Sequence, residues 1–299
     1  MPVIDQIVSQ IQDWQGKGVS IQALAGGLTN ANYKVVVEGT PFFVRIPGES
    51  TELLAVDRRN EYHNTRAASA TGVGPKVLYY IDEYQAMVLE FLPGTTLSNE
   101  RLQAPGMPSR IAQAIRHLHA GPRFLTDFNM FRLTEYYLHI CRERRIRVPD
   151  GYAERMKTVE RIEQALAVRP LPTVPCNNDL LAENYMDDGK TIRIIDYEYS
   201  GNNDPCFELG NTCQELRYDE ARIVEVCTSY FGAPSASMLA RMKLSMIMSD
   251  VGWGLWAAIQ ANISKIHYDF WGWAVERWTR AVEKMDAPEF SNWLVHVQT

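Results

Sequence analysis

The chain has 299 residues, 46% of them apolar, with a net charge of −6 at pH 7 and a pI near 5.6. That length supports two sizeable cores or one bilobal unit with a cleft. The acidic balance, without a block of Lys or Arg, argues against a nucleic-acid partner. Five cysteines, at 141, 176, 206, 213 and 227, form no C-x-x-C pair, so neither a disulfide framework nor a zinc site is expected and reduced thiols in a cytosol fit best. The N-terminus lacks the charged and apolar regions of a signal peptide, and a soluble cytoplasmic protein is expected.

Residues 2–15 place Ile4, Ile7, Val8, Ile11 and Trp14 on one face of an amphipathic helix. A short strand at 21–25 turns through Gly26-Gly27-Leu28-Thr29-Asn30 into a second, 31–38. The two glycines either let the backbone approach a phosphate closely or simply make a hairpin. Gly39-Thr40-Pro41 leads to a third strand, 42–46, bearing Arg45, and a helix over 56–70 carries Glu61. Strands at 76–81 and 85–91 form a hairpin that completes five strands and one helix. After Pro93 the periodicity becomes helical, over 109–119, 133–148 and 153–167. The basic run Arg142 to Arg147 reads as a solvated face.

The stretch 174–208 carries the chemistry. Asp179 and Asn184 stand five apart, so one tight loop can offer a carboxylate to a substrate hydroxyl and an amide oxygen to a cation. Asp187-Asp188-Gly189-Lys190 is a turn signal joining Tyr185-Met186 to the β-rich 191–195. Doubling back there returns Asp196 to the side of Asn184, and the two converge as hard oxygen ligands suited to Mg²⁺. From Asp196 to Glu220 seven carboxylates accompany one base, Arg217, which reads as a place for cations. Further on, the apolar run 244–263 contains Asp250, Gln260 and Asn262, which disqualify it as a membrane span. Trp253, Trp256 and Gln260 share one helix face, and Tyr268, Phe270, Trp271, Trp273, Arg277 and Trp278 follow. By themselves these aromatics read as a hydrophobic helix pair in the core of the larger lobe.

Asn-Asp-Leu-Leu-x-x-Asn followed by Ile-Asp-Tyr-Glu-Tyr resembles the catalytic and metal loops of the choline/ethanolamine kinases, within the aminoglycoside-phosphotransferase-like and protein-kinase-like enzymes. The resemblance runs from Gly26 to Arg277. It implies an α+β, bilobal protein-kinase-like fold. Residues 1–92 would form a small antiparallel-sheet lobe with one helix that binds nucleotide, and 93–299 a larger, mainly helical lobe for catalysis and substrate. It further implies ATP and Mg²⁺ as cofactors, with Asp179 as the catalytic group and Asn184 and Asp196 as metal ligands. Gly26, Gly27, Thr29, Asn30, Arg45, Glu61, Glu90 and Leu92 would contact or support the nucleotide, Arg45 pairing with Glu61 and 90–94 forming the hinge.

On the same resemblance Glu198, Trp253, Trp256, Trp273 and Arg277 would serve the substrate, the tryptophans receiving a quaternary ammonium by cation–π attraction. Two positions depart from the family pattern. Asn177 stands where His is usual and is expected to hold the loop by hydrogen bonds, and Glu208 replaces an Asp. The implied activity is phosphorylation of choline or ethanolamine. Two rival readings are a related kinase of an aminoglycoside, thiamine or homoserine, and a catalytically weak nucleotide-binding protein. A small cationic alcohol is the expected partner, without nucleic acid or membrane insertion, and a homodimer is left open.

Overall fold

Alternation along the first strands decides the two faces of the N-terminal sheet. Strands β1 (Val19–Leu24), β2 (Asn30–Val37), β3 (Thr40–Pro47), β4 (Val77–Ile81) and β5 (Ala86–Glu90) pair antiparallel in the order β1-β2-β3-β5-β4. Val35, Val37, Val44, Ala86 and Val88 lie on one face, and Ile4, Ile7, Ile11 and Trp14 of the N-terminal helical segment, α1 (Val3–Gln10) with the short turn after it, close over them. Each such side chain removed from water contributes roughly 1.5–3 kcal/mol. The two-residue period sends Arg45, next to Val44, to the opposite face. There it meets α2 (Arg58–Ser69), which starts two residues later than the sequence pattern predicts because Asp57 caps it, accepting from Arg59 N and Asn60 N. The computed structural model describes residues 1–25, 27–48 and 51–299.

Beyond β5 the chain forms β6 (Thr95–Thr96), α3 (Asn99–Leu102), α4 (Met107–His119), α5 (Met130–Glu143) and α6 (Tyr152–Val168). The short strands β7 (Val174–Cys176), β8 (Tyr185–Asp187), β9 (Ile192–Ile194) and β10 (Gly201–Asn203) carry the site. They precede α7 (Pro205–Glu215), α8 (Glu220–Phe231), α9 (Ala236–Ile263), α10 (Phe270–Met285) and α11 (Phe290–His296). The expected α+β architecture is what forms, an antiparallel sheet followed by helices. α5 begins at Met130, not Leu133, since Asn129 caps it, and ends before Arg145, whose φ of 54° leaves the helical region.

α9 is apolar on every side and is buried almost throughout from Ala240 to Gln260, so α5, α7, α10 and α11 pack around it. Gly210 lets α7 approach it; a Cβ there would stand 2.6 Å from Met242 O. No helix among the described residues is long and apolar enough to cross a membrane.

The acidic stretch runs through the loop after β9, α7 and the start of α8, and its carboxylates have partners within the chain. Asp204 pairs with Arg241, Glu215 with Arg277, Asp219 with Arg222 and Glu220 with Lys243, while Glu208 accepts from backbone. Charge counted along the sequence omitted these partners, which come from helices up to 62 residues away.

Candidate active site

β7 delivers the chain to Asn177, where strand pairing stops and the backbone amides need other acceptors. Glu208, fully buried in the first turn of α7, accepts Asn177 N at 2.9 Å and Asn178 N at 2.6 Å on its two carboxylate oxygens. Asn211, one turn further, accepts Leu180 N at 2.8 Å. Asn178 sits at φ 71°, a left-handed conformation that Asn tolerates, and its Nδ2 donates to Tyr199 O at 3.1 Å. Asn177 donates through Nδ2 to Asp196 O at 2.6 Å and to Ile195 O at 3.2 Å, and its Oδ1 accepts Asp179 N at 3.1 Å. It laces the two loops together by hydrogen bonds. Of these anchors, Glu208 was visible in the sequence only as a substitution, and Asn178 and Asn211 gave no signal.

The hairpin places Tyr185 opposite Ile194, and Ile195 N donates to Asn184 O at 2.9 Å, so Asn184 and Asp196 return to one end. Asn184 Nδ2 donates to Asp179 O at 2.7 Å, which orients the amide with its oxygen as the end to offer a cation. Asp196 sits at φ 64° and is half-buried. A carboxylate and an amide oxygen so directed fit a hard divalent ion. Asp179 is also half-buried, and burial, then Glu215 and Asp196, hold its carboxyl well above the usual carboxylate range, with Arg277 opposing.

Arg45 pairs with Glu61 at 2.6 Å, as the resemblance implied, and also with both oxygens of Asp196. Glu198, implied by the resemblance to assist through metal or substrate, is met from the N-terminal segment of the chain. It accepts from Thr29 Oγ1 at 2.8 Å, Asn30 Nδ2 at 3.0 Å and Arg58 Nη1 at 3.1 Å, all from the small lobe. Thr29 and Asn30 are thus tied to the segment that follows β9. Burial and Asp196 push the Glu198 carboxyl up to about 7. Gly27, at φ 92°, keeps the conformation that its turn requires, while Gly26 lies outside the described residues. In the hinge segment Leu92 is buried, and Glu90 accepts from Lys76 N and Arg193 Nη2, both at 3.0 Å.

The aromatics separate into two groups. Trp256 meets Trp273 edge-on at 5.9 Å, and Tyr268 lies 5.7 Å from Trp273, making one wall. Trp253 is not part of it. Its ring packs against Tyr199 at 4.8 Å and Phe128 at 6.5 Å, within the core. Trp256 Nε1 donates to Tyr199 Oη at 2.6 Å, which makes Tyr199 the link between the groups and a residue that sequence reasoning passed over. Arg277 is buried against Glu215. Its fork holds Glu215 at 2.5 and 2.8 Å, and its guanidinium lies 4.3 Å from the Trp273 ring centre. Its Nε, also buried, has no hydrogen-bond partner among the described residues.

Behind that pair Asp250, fully buried on α9, faces Arg277 at 3.6 Å and Arg280 on α10, and Gln214 on α7. Burial outweighs the arginines and pushes its carboxyl up to about 7. The folded state therefore keeps a proton that the unfolded chain loses near pH 4, and this group's contribution falls as pH rises from about 4 to about 7. Asp250→Asn, which mimics the protonated form, is expected to gain on the wild type in denaturant midpoint across that window. Parallel pH profiles would count against it.

Beneath the loop, His119 Nδ1 bonds Tyr230 Oη at 2.7 Å, and its Nε2 lies 3.4 Å from Cys176 Sγ and 3.5 Å from Glu208 Oε1. The Cys176 thiol is pushed up by burial, and both Glu208 oxygens already serve the loop amides, so the cluster reads as packing support for Glu208.

A loop of this construction has relatives. Residues 21–227 match the family model for choline/ethanolamine kinase. Rat ethanolamine kinase 2 is 28% identical over 301 residues, covering 89% of this chain and 76% of that protein. The structure of a choline/ethanolamine kinase family protein from Mesorhizobium loti superposes with a TM-score of 0.87 at 31% identity, over 99% of both chains. Choline kinase LicA from Streptococcus pneumoniae gives 0.78 at 24% identity, over 95% of this chain and 98% of its own. Family match and fold agree over the segment that holds Asp179, Asn184 and Asp196, and the chain belongs to the choline/ethanolamine kinase family, as an alcohol phosphotransferase acting on a small molecule.

Proposed function

We propose that the enzyme transfers the γ-phosphoryl group of ATP to the hydroxyl of choline, with Mg²⁺ held by Asn184 and Asp196. The reading rests on one observation: Asp179 stands half-exposed in a fully hydrogen-bonded loop beside those two oxygen donors. Nucleotide use is supported by LicA, solved in complex with AMP. Residues 1–92 would grip the nucleotide, Arg45 and the Gly27 turn steadying its phosphates, and 93–299 would present Asp179 and the substrate wall. Mg²⁺, when bound, neutralises charge on the phosphate oxygens during transfer. Asp179 orients the alcohol and accepts its proton as the oxygen attacks. The buried loop anchors keep that carboxylate in place without reorganisation.

Choline is favoured by the wall of Trp256, Trp273 and Tyr268, whose neighbouring carboxylate, Glu215, is already satisfied by Arg277. A methylated ammonium needs no hydrogen-bond acceptor there, whereas a primary one loses its water partners. Ethanolamine is the second reading, favoured by the rat and mouse relatives, which are ethanolamine kinases. ATP consumption with choline, ethanolamine, thiamine and kanamycin is expected to give choline the highest kcat/KM, by about tenfold or ~1.4 kcal/mol over ethanolamine. A preference for ethanolamine overturns the choice of substrate, and turnover of kanamycin or thiamine alone overturns the reading itself.

A further inference from the structure

Arg58 is the first residue of α2, a position where a cation opposes the helix dipole, and it is only 6% exposed. Something must compensate for a guanidinium there. Its Nη1 bridges two carboxylates, Glu61 Oε2 at 2.7 Å and Glu198 Oε2 at 3.1 Å. Arg45 does the same from β3, its Nη1 bridging Glu61 Oε1 at 2.6 Å and Asp196 Oδ1 at 2.8 Å. The five groups form one buried chain of alternating sign, Asp196, Arg45, Glu61, Arg58, Glu198. Its two ends are two residues apart in the segment that follows β9, and Glu61 is shared at its centre. Each end carboxylate thus has an arginine in the place of a counter-cation.

We propose that Arg58 is a positioning residue that makes divalent-metal binding conditional on nucleotide, by holding Glu198 against the small lobe and so keeping it from joining Asp196 in a metal site. The inference rests on the reading of Asp196 as a metal ligand. The two guanidiniums offset most of the charge that three carboxylates can carry, which leaves little to draw a divalent ion away from water. Nucleotide phosphate is a competing anion for Arg45. Once Arg45 turns to it, Asp196 regains its full charge and faces the ion together with the phosphate oxygens. Arg58 keeps Glu61 and Glu198 paired meanwhile, so α2 and the segment after β9 stay in register. Removing its charge leaves Glu198 beside Asp196 with only Thr29 and Asn30 as neutral donors, and two carboxylates together form a metal site that needs no nucleotide.

The test is Mn²⁺ binding to the full chain, read from the free-ion paramagnetic resonance signal, with and without ADP. Wild type is expected to bind Mn²⁺ weakly alone and at least about tenfold more tightly with ADP, within the roughly 5–150-fold range of ordinary coupling. Arg58→Gln and Arg58→Met are expected to bind Mn²⁺ alone about tenfold more tightly than wild type and to lose most of the ADP-dependent gain, and Arg58→Lys to restore it. A merely structural arginine would leave the ADP-dependent gain in place when removed, since lost charge alone raises affinity with and without nucleotide alike. Two variants guard against one that fails to fold, with thermal melting run on each. Unchanged Mn²⁺ affinity in a folded neutral variant overturns the role of Arg58. Failure of wild type to bind Mn²⁺ even with ADP overturns instead the metal reading beneath it.

Discussion

Asp179→Ala is expected to lower kcat by roughly 10²–10⁴-fold, the usual contribution of a positioned general base, while Mg·ATP binding survives. The carboxyl stands at a loop whose backbone is held by Glu208, Asn177 and Asn211, none of which depends on the Asp179 side chain. Its removal also relieves a carboxyl held well above the usual carboxylate range, so stability is expected to hold or rise. Asp196→Ala differs, since it removes a proposed metal ligand and one partner of Arg45, and nucleotide binding measured by calorimetry should fall with turnover. Residual activity that is equal in the two variants sinks the division of roles between them.

The second large effect is on stability. Trp256 is 6% exposed, packs on Phe270 and Trp273 at 6.0 and 5.9 Å, and holds Tyr199 through its indole N–H. Trp256→Ala should cost ~3–5 kcal/mol in denaturant unfolding, because the cavity lies in the main core and the Tyr199 hydroxyl loses a donor as well. A KM change in that variant would therefore say little about substrate. Trp273, half-buried on the same wall, separates the two roles: Trp273→Ala should raise KM for choline more than KM for ATP while the protein stays folded. A cooperative unfolding curve with unchanged choline KM would falsify the wall as the cation seat.

Much of the site was legible because its chemistry is local. Asp179, Asn184 and the Asp-Gly turn lie within a dozen residues, and turn geometry alone brings Asp196 back beside Asn184. The pairing of Arg45 with Glu61, by contrast, was named only through the family resemblance. The sequence by itself thus determined the sheet, the helical remainder and the convergence of the residues proposed to react. Only the tertiary structure decided which charges and rings remain available. Arg277 meets Glu215 from 62 residues away, and Arg58 meets Glu198 from 140. Such pairs follow no period, because they are chosen by where packed helices bring long side chains together after the core has formed. Trp253 and Trp256 share a helix face, yet one packs behind Tyr199 and the other forms the wall with Trp273. Helical periodicity specifies direction around an axis, and what stands opposite each ring is set by the close packing of neighbouring elements.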